Sequence, residues 1–214
     1  MQSEFWHKRW QNQEIGFHQM EANRLLREHF ASVAKPDATV FVPLCGKSNC
    51  LLWLLEKGYR VFGIELSELA VEQFFEENRL QPAIARHTHF TKYSVNQLTI
   101  WVGDFFKLRA ADLANVDAWY DRAAMIALPP AMRSDYTKQL CRQLPAHTEG
   151  LLITLQYPPG YRQGPPFSVT EEEVKKVYGQ RFRIEQLARQ QGSINALESC
   201  DNPVIEQAFK LAKP

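Results

Sequence analysis

An open, twisted α/β sheet, mostly parallel with an antiparallel terminal strand and helices on both faces, is the fold class this 214-residue sequence predicts. Three observations predict it. Val40–Val42 and Val61–Ile64 are apolar runs too short for helices, and they flank an amphipathic stretch from Ser48 to Gly58. Further β-rich runs, Leu98–Val102, Ala118–Tyr120 and Leu151–Leu155, alternate with helical patterns. Two last runs, Phe182–Leu187 and Val204–Leu211, follow each other closely enough to pair antiparallel.

Taken in order, the chain opens with an aromatic amphipathic piece, Phe5-Trp6-His7-Lys8-Arg9-Trp10, with Trp6 and Trp10 four apart on one helical face. A turn at Ile15-Gly16-Phe17 leads to a helix expected from about Glu21 to Val33, which Lys35-Pro36-Asp37 ends. Ser67 is a good N-cap for a helix carrying Leu69, Val71, Phe74 and Phe75. His89–Tyr93 and Leu98–Val102 read as a hairpin whose second arm continues into the main sheet. A helix from Pro130 to Leu144 has proline in its first turn, where the missing N–H is harmless. After the Pro-Gly-rich stretch from Pro158 to Phe167, Thr170 and Glu173 form a capping box for a short helix that Gly179 closes. No repeat or low-complexity linker interrupts the pattern. One domain over 1–214 is the expectation, with 1–35 as an N-terminal lid and helix.

Composition narrows the function. Hydrophobic residues make up 45% of the chain, enough for a sizeable core, and 25 basic side chains balance 24 acidic ones. Nucleic acid is therefore not expected as a partner, because duplex binding leaves a strongly basic footprint. The N-terminus shows no signal-peptide pattern, and no apolar run approaches the roughly 20 residues needed to span a bilayer. Cys45, Cys50, Cys141 and Cys200 lack Cys-x-x-Cys spacing and fit reduced thiols of a cytoplasmic protein. Of the histidines, only His87 and His89 lie close together, without further ligands at metal-site spacing, so no metal is expected. The near-neutral charge and lack of heptads make a monomer the default.

The chemistry concentrates at strand ends. Glu65 follows the first loop by about twenty residues, where a dinucleotide fold places the carboxylate that holds a ribose diol. The loop itself, Pro43-Leu44-Cys45-Gly46, lacks Gly-x-Gly-x-x-Gly. Proline donates no N–H, and side chains stand where a pyrophosphate needs close backbone approach. A phosphate-free nucleoside such as S-adenosylmethionine meets no such obstacle. A plain turn and a solvated strand-end acid would give the same residues. Gly46-Lys47-Ser48 is not a phosphate loop, since that motif requires glycine where Phe41 stands.

At the third strand end, Gly103-Asp104-Phe105-Phe106 offers an acid for an exocyclic amine and a ring for the adenine face. The same residues could equally cap a turn and fill core. Asp121-Arg122 ends the next strand. Adjacent opposite charges there are commonly a solvated pair worth under about 1 kcal/mol. In a cofactor cleft the Arg would orient a ligand, and the acid would fix that Arg or take a proton. Trp10 and Phe17 are readable as core, or as an aromatic lid that keeps water from an open crevice. The layout as a whole is Rossmann-like, as in the class I methyltransferases.

These segments together resemble one family, the thiopurine S-methyltransferases, especially the bacterial ones. The matching pieces are Phe5–Trp10, Ile15–His18, Val42–Ser48, Gly63–Ser67, Gly103–Phe106, Tyr120–Ala124 and Gly164-Pro165-Pro166-Phe167, in order over roughly the first four-fifths of the chain. The resemblance implies that Trp10, Leu44, Glu65 and Arg122 contact S-adenosyl-L-methionine, with Asp104 and Phe105 at the adenine. It also implies that Phe17, Arg122 and Phe167 border the pocket of a small-molecule acceptor, an aromatic or heterocyclic thiol such as a thiopurine. Some bacterial relatives are associated with methylating selenium or tellurium oxyanions, which is the alternative acceptor class. No residue is expected as an obligatory base, and Asp121 is the candidate catalytic residue if one takes a proton. The stretch from Gly192 to Pro203 is shorter than in relatives, which bears on acceptor choice. A nicotinamide oxidoreductase and a non-catalytic adenosylmethionine sensor share parts of the pattern; the first needs the missing glycines, and the second would bind without turnover.

Overall fold

The computed structural model describes residues 3–16, 18–192 and 203–214. Helix α1 (Ser3–Gln11) and helix α2 (Arg24–His29) precede the first strand. Strand β1 (Thr39–Pro43), helix α3 (Cys50–Glu56), β2 (Arg60–Glu65) and α4 (Glu68–Glu77) form the first half of the sheet unit. Next come β3 (Ala83–Arg86), β4 (Thr91–Val95), β5 (Leu98–Val102) and β6 (Ala118–Asp121). The chain finishes with α5 (Ala124–Ala127), α6 (Pro130–Gln143), β7 (Glu149–Gln156), α7 (Glu171–Tyr178), β8 (Arg183–Gln191) and β9 (Ile205–Ala212). The described strands lie in one sheet in the order β3-β4-β5-β2-β1-β6-β7-β9-β8. The central pairs β5/β2, β2/β1, β1/β6 and β6/β7 are parallel. The outer pairs β3/β4, β4/β5, β7/β9 and β8/β9 are antiparallel. The chain order reverses at β1, between β2 and β6, and an open α/β sheet takes its ligand in the crevice above such a point.

The central strands are apolar on both faces because both are covered. Alternate residues point to opposite layers. Phe41, Trp119 and Leu152 pack with Tyr136 and Leu140 of α6 and with Val174 and Tyr178 of α7. Val40, Val42, Tyr120 and Ile153 pack with α2, α3 and α4 through Leu26, Leu51, Leu54 and Phe74. Each fully buried side chain of this size contributes roughly 1.5–3 kcal/mol.

Two local expectations change, and two elements arrive that no expectation named. The helix after the first turn is shorter than Glu21–Val33: Asn23 Oδ1 accepts from Leu25 N and Leu26 N at 2.9 and 3.3 Å, and Phe30–Ser32 tightens into a 3₁₀ turn. Strand β3, exposed at every residue, exists through its pairing with β4 and carries no amphipathic signal. The short helix α5 is likewise unannounced by periodicity. At the start of α7, Thr170 Oγ1 accepts from Glu173 N at 3.2 Å, but the Glu173 carboxylate accepts from Arg133 Nη1 at 2.6 Å, so its side chain pairs with α6.

Gly150 on β7 shows how tight the layer around Trp119 is. A Cβ built there would stand 1.9 Å from Trp119 Cε2. Trp119 is fully buried against Tyr178 and Phe182 and has nowhere to retreat. Overpacking a core costs about 1–3 kcal/mol, occasionally more. Gly150→Ala is expected at or above the upper end of that range in urea denaturation. Gly160→Ala, with φ +82° and no neighbour within 4 Å, should lose only about 1 kcal/mol. Equal losses would show that Gly150 is not a packing position.

Candidate active site

The loop after β1 is shaped by its own hydrogen bonds. Leu44 and Gly46 take left-handed backbone at φ +47° and +53°, a conformation that is costly for leucine and free for glycine. Cys45 N donates to Ile64 O at 3.0 Å, Gly46 N to Glu65 Oε2 at 2.8 Å, and Ser48 N to Cys45 O at 3.3 Å. A Cβ on Gly63 would lie 2.8 Å from Cys45 Sγ, so the glycine in β2 makes room for the loop. These three amides are consumed internally and do not converge on an anion. The loop therefore offers no phosphate nest, in keeping with the absent glycine fingerprint.

Glu65 is the hinge of the arrangement. It is buried at 7% exposure, and its Oε1 accepts from Ser67 N at 2.9 Å while Oε2 holds Gly46. Burial pushes its carboxyl above the usual range, and the N–H groups of Ser67 and Gly46 partly oppose that. Two open cavities, of about 970 and 1140 Å³ with their mouths included, meet at Trp6, Leu44, Glu65 and Leu66. They form one crevice above β1, large enough for two small molecules.

The second cavity runs from Glu65 toward Asp104, Phe105, Phe106, Met132 and Tyr136. Asp104 Oδ1 accepts from Phe106 N at 2.9 Å, capping the 105–107 turn as one of its two readings had it, and the residue also borders the cavity. Phe105 is buried and packs against Tyr136 at 5.0 Å between ring centroids. The first cavity runs the other way. Trp10, buried at 3%, closes it over Gly46, where a Cβ would come within 3.2 Å of the indole. Arg122 borders it at the end of β6, with Ala123, Ile126 and Ala127 following. Leu155, Pro165 and Pro166 complete an apolar wall.

Trp10, Leu44, Glu65, Asp104, Phe105 and Arg122 thus gather around one crevice. Three other candidates do not join them. Phe17 lies outside the described residues, as do 193–202 of the divergent C-terminal stretch. Phe167 does not border either cavity: it folds back over Gly164, whose Cβ would meet its ring at 2.4 Å, and Arg133 sits 5.9 Å from the ring centre. Its neighbours Pro165 and Pro166 face the crevice in its place. Asp121 is fully buried behind the crevice and borders neither cavity. Its Oδ1 accepts from Ala124 N and Met125 N at 2.9 and 3.2 Å, and Oδ2 from the Tyr136 hydroxyl at 2.7 Å. Asp121 is thus a buried acid, not a solvated one, and burial raises its carboxyl to about 6.

Sequence reasoning missed Trp6, His18, Gln19 and Lys47, which all border the first cavity. Trp6 was detectable as the partner of Trp10 on one helical face. His18 and Gln19 carry no periodic signal. Burial and then the nearby Lys47 ammonium lower the His18 imidazole, while burial and then Glu65 push up the Cys45 thiol. Among the described residues no cluster of three His, Cys, Asp or Glu side chains could hold a metal, and no described helix is long and apolar enough to cross a membrane.

Solved structures share this architecture. A SAM-dependent methyltransferase from Anabaena variabilis superposes with a TM-score of 0.69 at 16% identity, over 99% of this chain and 95% of its own. The 1,6-didemethyltoxoflavin-N1-methyltransferase of Burkholderia thailandensis, with bound 1,6-didemethyltoxoflavin and S-adenosylhomocysteine, gives 0.70 at 13% identity, over 99% and 86%. The fold is that of the class I S-adenosylmethionine-dependent methyltransferases. The family model for thiopurine S-methyltransferase matches residues 1–206. A thiopurine S-methyltransferase of Pseudomonas fluorescens is 51% identical over 191 residues, covering 89% of this chain and 88% of the relative. That of Pseudomonas entomophila is 43% identical over 216 residues, covering 100% of both. The chain belongs to the thiopurine S-methyltransferase family and is an S-adenosyl-L-methionine-dependent methyltransferase.

Proposed function

We propose that this enzyme methylates the sulfur of aromatic and heterocyclic thiols, thiopurines among them. The observation that carries the reading is the apolar wall of Ile126, Ala127, Leu155, Pro165 and Pro166, one step from the Glu65 junction. A flat, apolar thiol gains from such a wall; a selenium or tellurium oxyanion gains little. Bound S-adenosyl-L-methionine supplies a sulfonium whose methyl group a soft nucleophile can take. The residues then divide the remaining work. Glu65 accepts from the ribose hydroxyls, Asp104 from the adenine amine, and Phe105 covers the base. Leu44 and Trp10 enclose the middle of the molecule, and Arg122 faces the acceptor end. Helix α1, carrying Trp6 and Trp10, acts as the lid that excludes water, so that charge neutralising in the transition state does so in a dry site. Most of the acceleration comes from alignment.

No protein base is required, because acidic aromatic thiols ionise unaided. Asp121 is a positioning residue: it fixes α5 beside the acceptor wall and Tyr136 beside the nucleoside cavity. Asp121→Asn should therefore keep kcat within about tenfold of the parent, whereas losing a general base costs about 10²–10⁴. Its pH signature has a definite sign. A carboxyl raised from 3.8 to about 6 on folding adds stability that is fully present below 3.8. That stability is lost as pH rises through about 6, on the order of 3 kcal/mol in all. A carboxamide at this position cannot ionise, so the stability deficit of Asp121→Asn should shrink between pH 4 and pH 7 in urea denaturation. A constant deficit would mean that Asp121 titrates normally.

The acceptor class is tested by transfer of a radiolabelled methyl group to thiophenol, 6-mercaptopurine, selenite and tellurite. Label in the extracted methyl thioethers, with the oxyanions at the level of the blank, is expected. Label in volatile selenium or tellurium species alone would replace the thiol reading.

A further inference from the structure

Two consecutive prolines, Pro165 and Pro166, line the first cavity together with Ile126 and Leu155. A proline carries a carbonyl but no N–H, so this part of the wall cannot be held by donating. It is held by its neighbours instead. Phe167 N donates to Ile126 O at 2.6 Å, and Val169 N donates to Leu155 O at 2.7 Å. Both carbonyls belong to residues of the wall itself. The third support is a side chain. Tyr157, the residue after β7, donates from its hydroxyl to Pro166 O at 2.7 Å. Its N donates to Ser168 Oγ at 3.0 Å, and Ser168 Oγ donates back to its O at 3.0 Å. Tyr157 is 7% exposed and borders neither cavity.

That arrangement decides how Pro166 meets the cavity. Its polar group is committed to a phenol that lies outside the cavity, which leaves the rest of the residue as lining. A carbonyl without a partner is drawn to any donor within reach, water or ligand in the cavity included. We propose that Tyr157 is a positioning residue for the methyl acceptor: its hydroxyl ties the Pro166 carbonyl behind the wall and keeps the surface that meets the acceptor apolar and flat. The proposal rests on the reading that acceptor thiols lie against this wall. It deepens that reading by adding a discrimination. A fused bicyclic thiol covers more of the wall than a single ring does, so it depends more on Pro166 being in place.

Tyr157→Phe removes one oxygen and keeps the ring that packs against Tyr161 at 5.7 Å between centroids. Losing one hydrogen bond of this kind corresponds to about three- to tenfold in an equilibrium. The KM for 6-mercaptopurine should rise by about that factor, and the KM for thiophenol by less than about twofold. The ratio of the two kcat/KM values then shifts toward thiophenol by about threefold, while calorimetric affinity for S-adenosylhomocysteine stays within about twofold of the parent. A merely structural role would not move this ratio, because partial unfolding lowers the active fraction for both acceptors alike. Tyr161→Phe, at the exposed neighbour, is the control and should leave the ratio unaltered. If circular dichroism finds Tyr157→Phe unfolded, Ser168→Ala, which removes the other side-chain link between Tyr157 and the loop, decides by the same ratio. An unaltered ratio in the deciding variant would overturn the proposal, as would a loss of S-adenosylhomocysteine affinity equal to the rise in KM. A parent protein that methylates neither thiol would instead remove the acceptor reading on which the proposal stands.

Discussion

Glu65→Ala is expected to lower the affinity for S-adenosylhomocysteine by at least about 100-fold, or roughly 2.7 kcal/mol. Two effects add. The buried carboxylate stands at the junction of the two cavities, where it can accept from a ribose diol, and hydrogen bonds to a charged acceptor are worth about 1.5–3 kcal/mol each. The same oxygens hold Gly46 N and Ser67 N at 2.8 and 2.9 Å. Alanine frees both amides and loosens the loops that border the crevice. Glu65→Gln, which retains one carbonyl oxygen, should fall between the parent and Glu65→Ala. The check is a calorimetric titration of each variant after its fold has been verified. Binding unchanged in Glu65→Ala would take Glu65 out of the site.

The largest stability effect is expected at Arg133. This guanidinium is 1% exposed, donates from Nε to Leu128 O at 2.9 Å, and joins α6 to α7 through Glu173 at 2.6 Å. It also donates to Ser168 O at 3.3 Å and lies over Phe167, just behind the Pro165–Pro166 wall. Arg133→Met keeps the apolar stem and removes the charge. It leaves a partly buried Glu173 and two carbonyls without their donor. Breaking a buried pair from one side costs about 3–5 kcal/mol, which for a chain of this length corresponds to a melting temperature lower by about 10 °C. Glu173→Gln should cost less, because Glu173 is 26% exposed and Arg133 retains its carbonyls. Thermal unfolding of both variants and of the double variant gives the coupling. A loss below about 1 kcal/mol for Arg133→Met would mean that α7 does not depend on this pair.

The central sheet was legible because burial on both faces writes itself as uninterrupted apolar runs, as at Val40–Val42 and Leu151–Leu155. Glu65 was legible too, since its place at the end of β2 follows from chain spacing alone. What stayed hidden depends on distant neighbours. The role of Asp121 is decided by Tyr136, fifteen residues later and on another helix, which buries the acid that sequence proximity pairs with Arg122. The turning of Phe167 away from the crevice depends on its packing over Gly164 and under Arg133. Lys47 disappears inside an accidental likeness to a phosphate loop, and only the fold sets it beside Gln19 and Glu77. Strand β3 owes its existence to hydrogen bonds with β4, which no local propensity announces.

Because the reversal of chain order falls at β1, strands on its two sides feed different parts of the crevice. Gly103–Phe106 after β5 border the second cavity and not the first, whereas Arg122, Ala123, Ile126 and Ala127 after β6, with Pro165 and Pro166 after β7, border the first and not the second; Trp6, Leu44, Glu65 and Leu66 are common ground. With the ligands placed as proposed, exchanges at Ala127, Leu155 or Pro165 would retune which nucleophiles are admitted without touching Asp104 or Phe105, so acceptor repertoire could diversify between relatives without each change having to rebuild the shared chemistry.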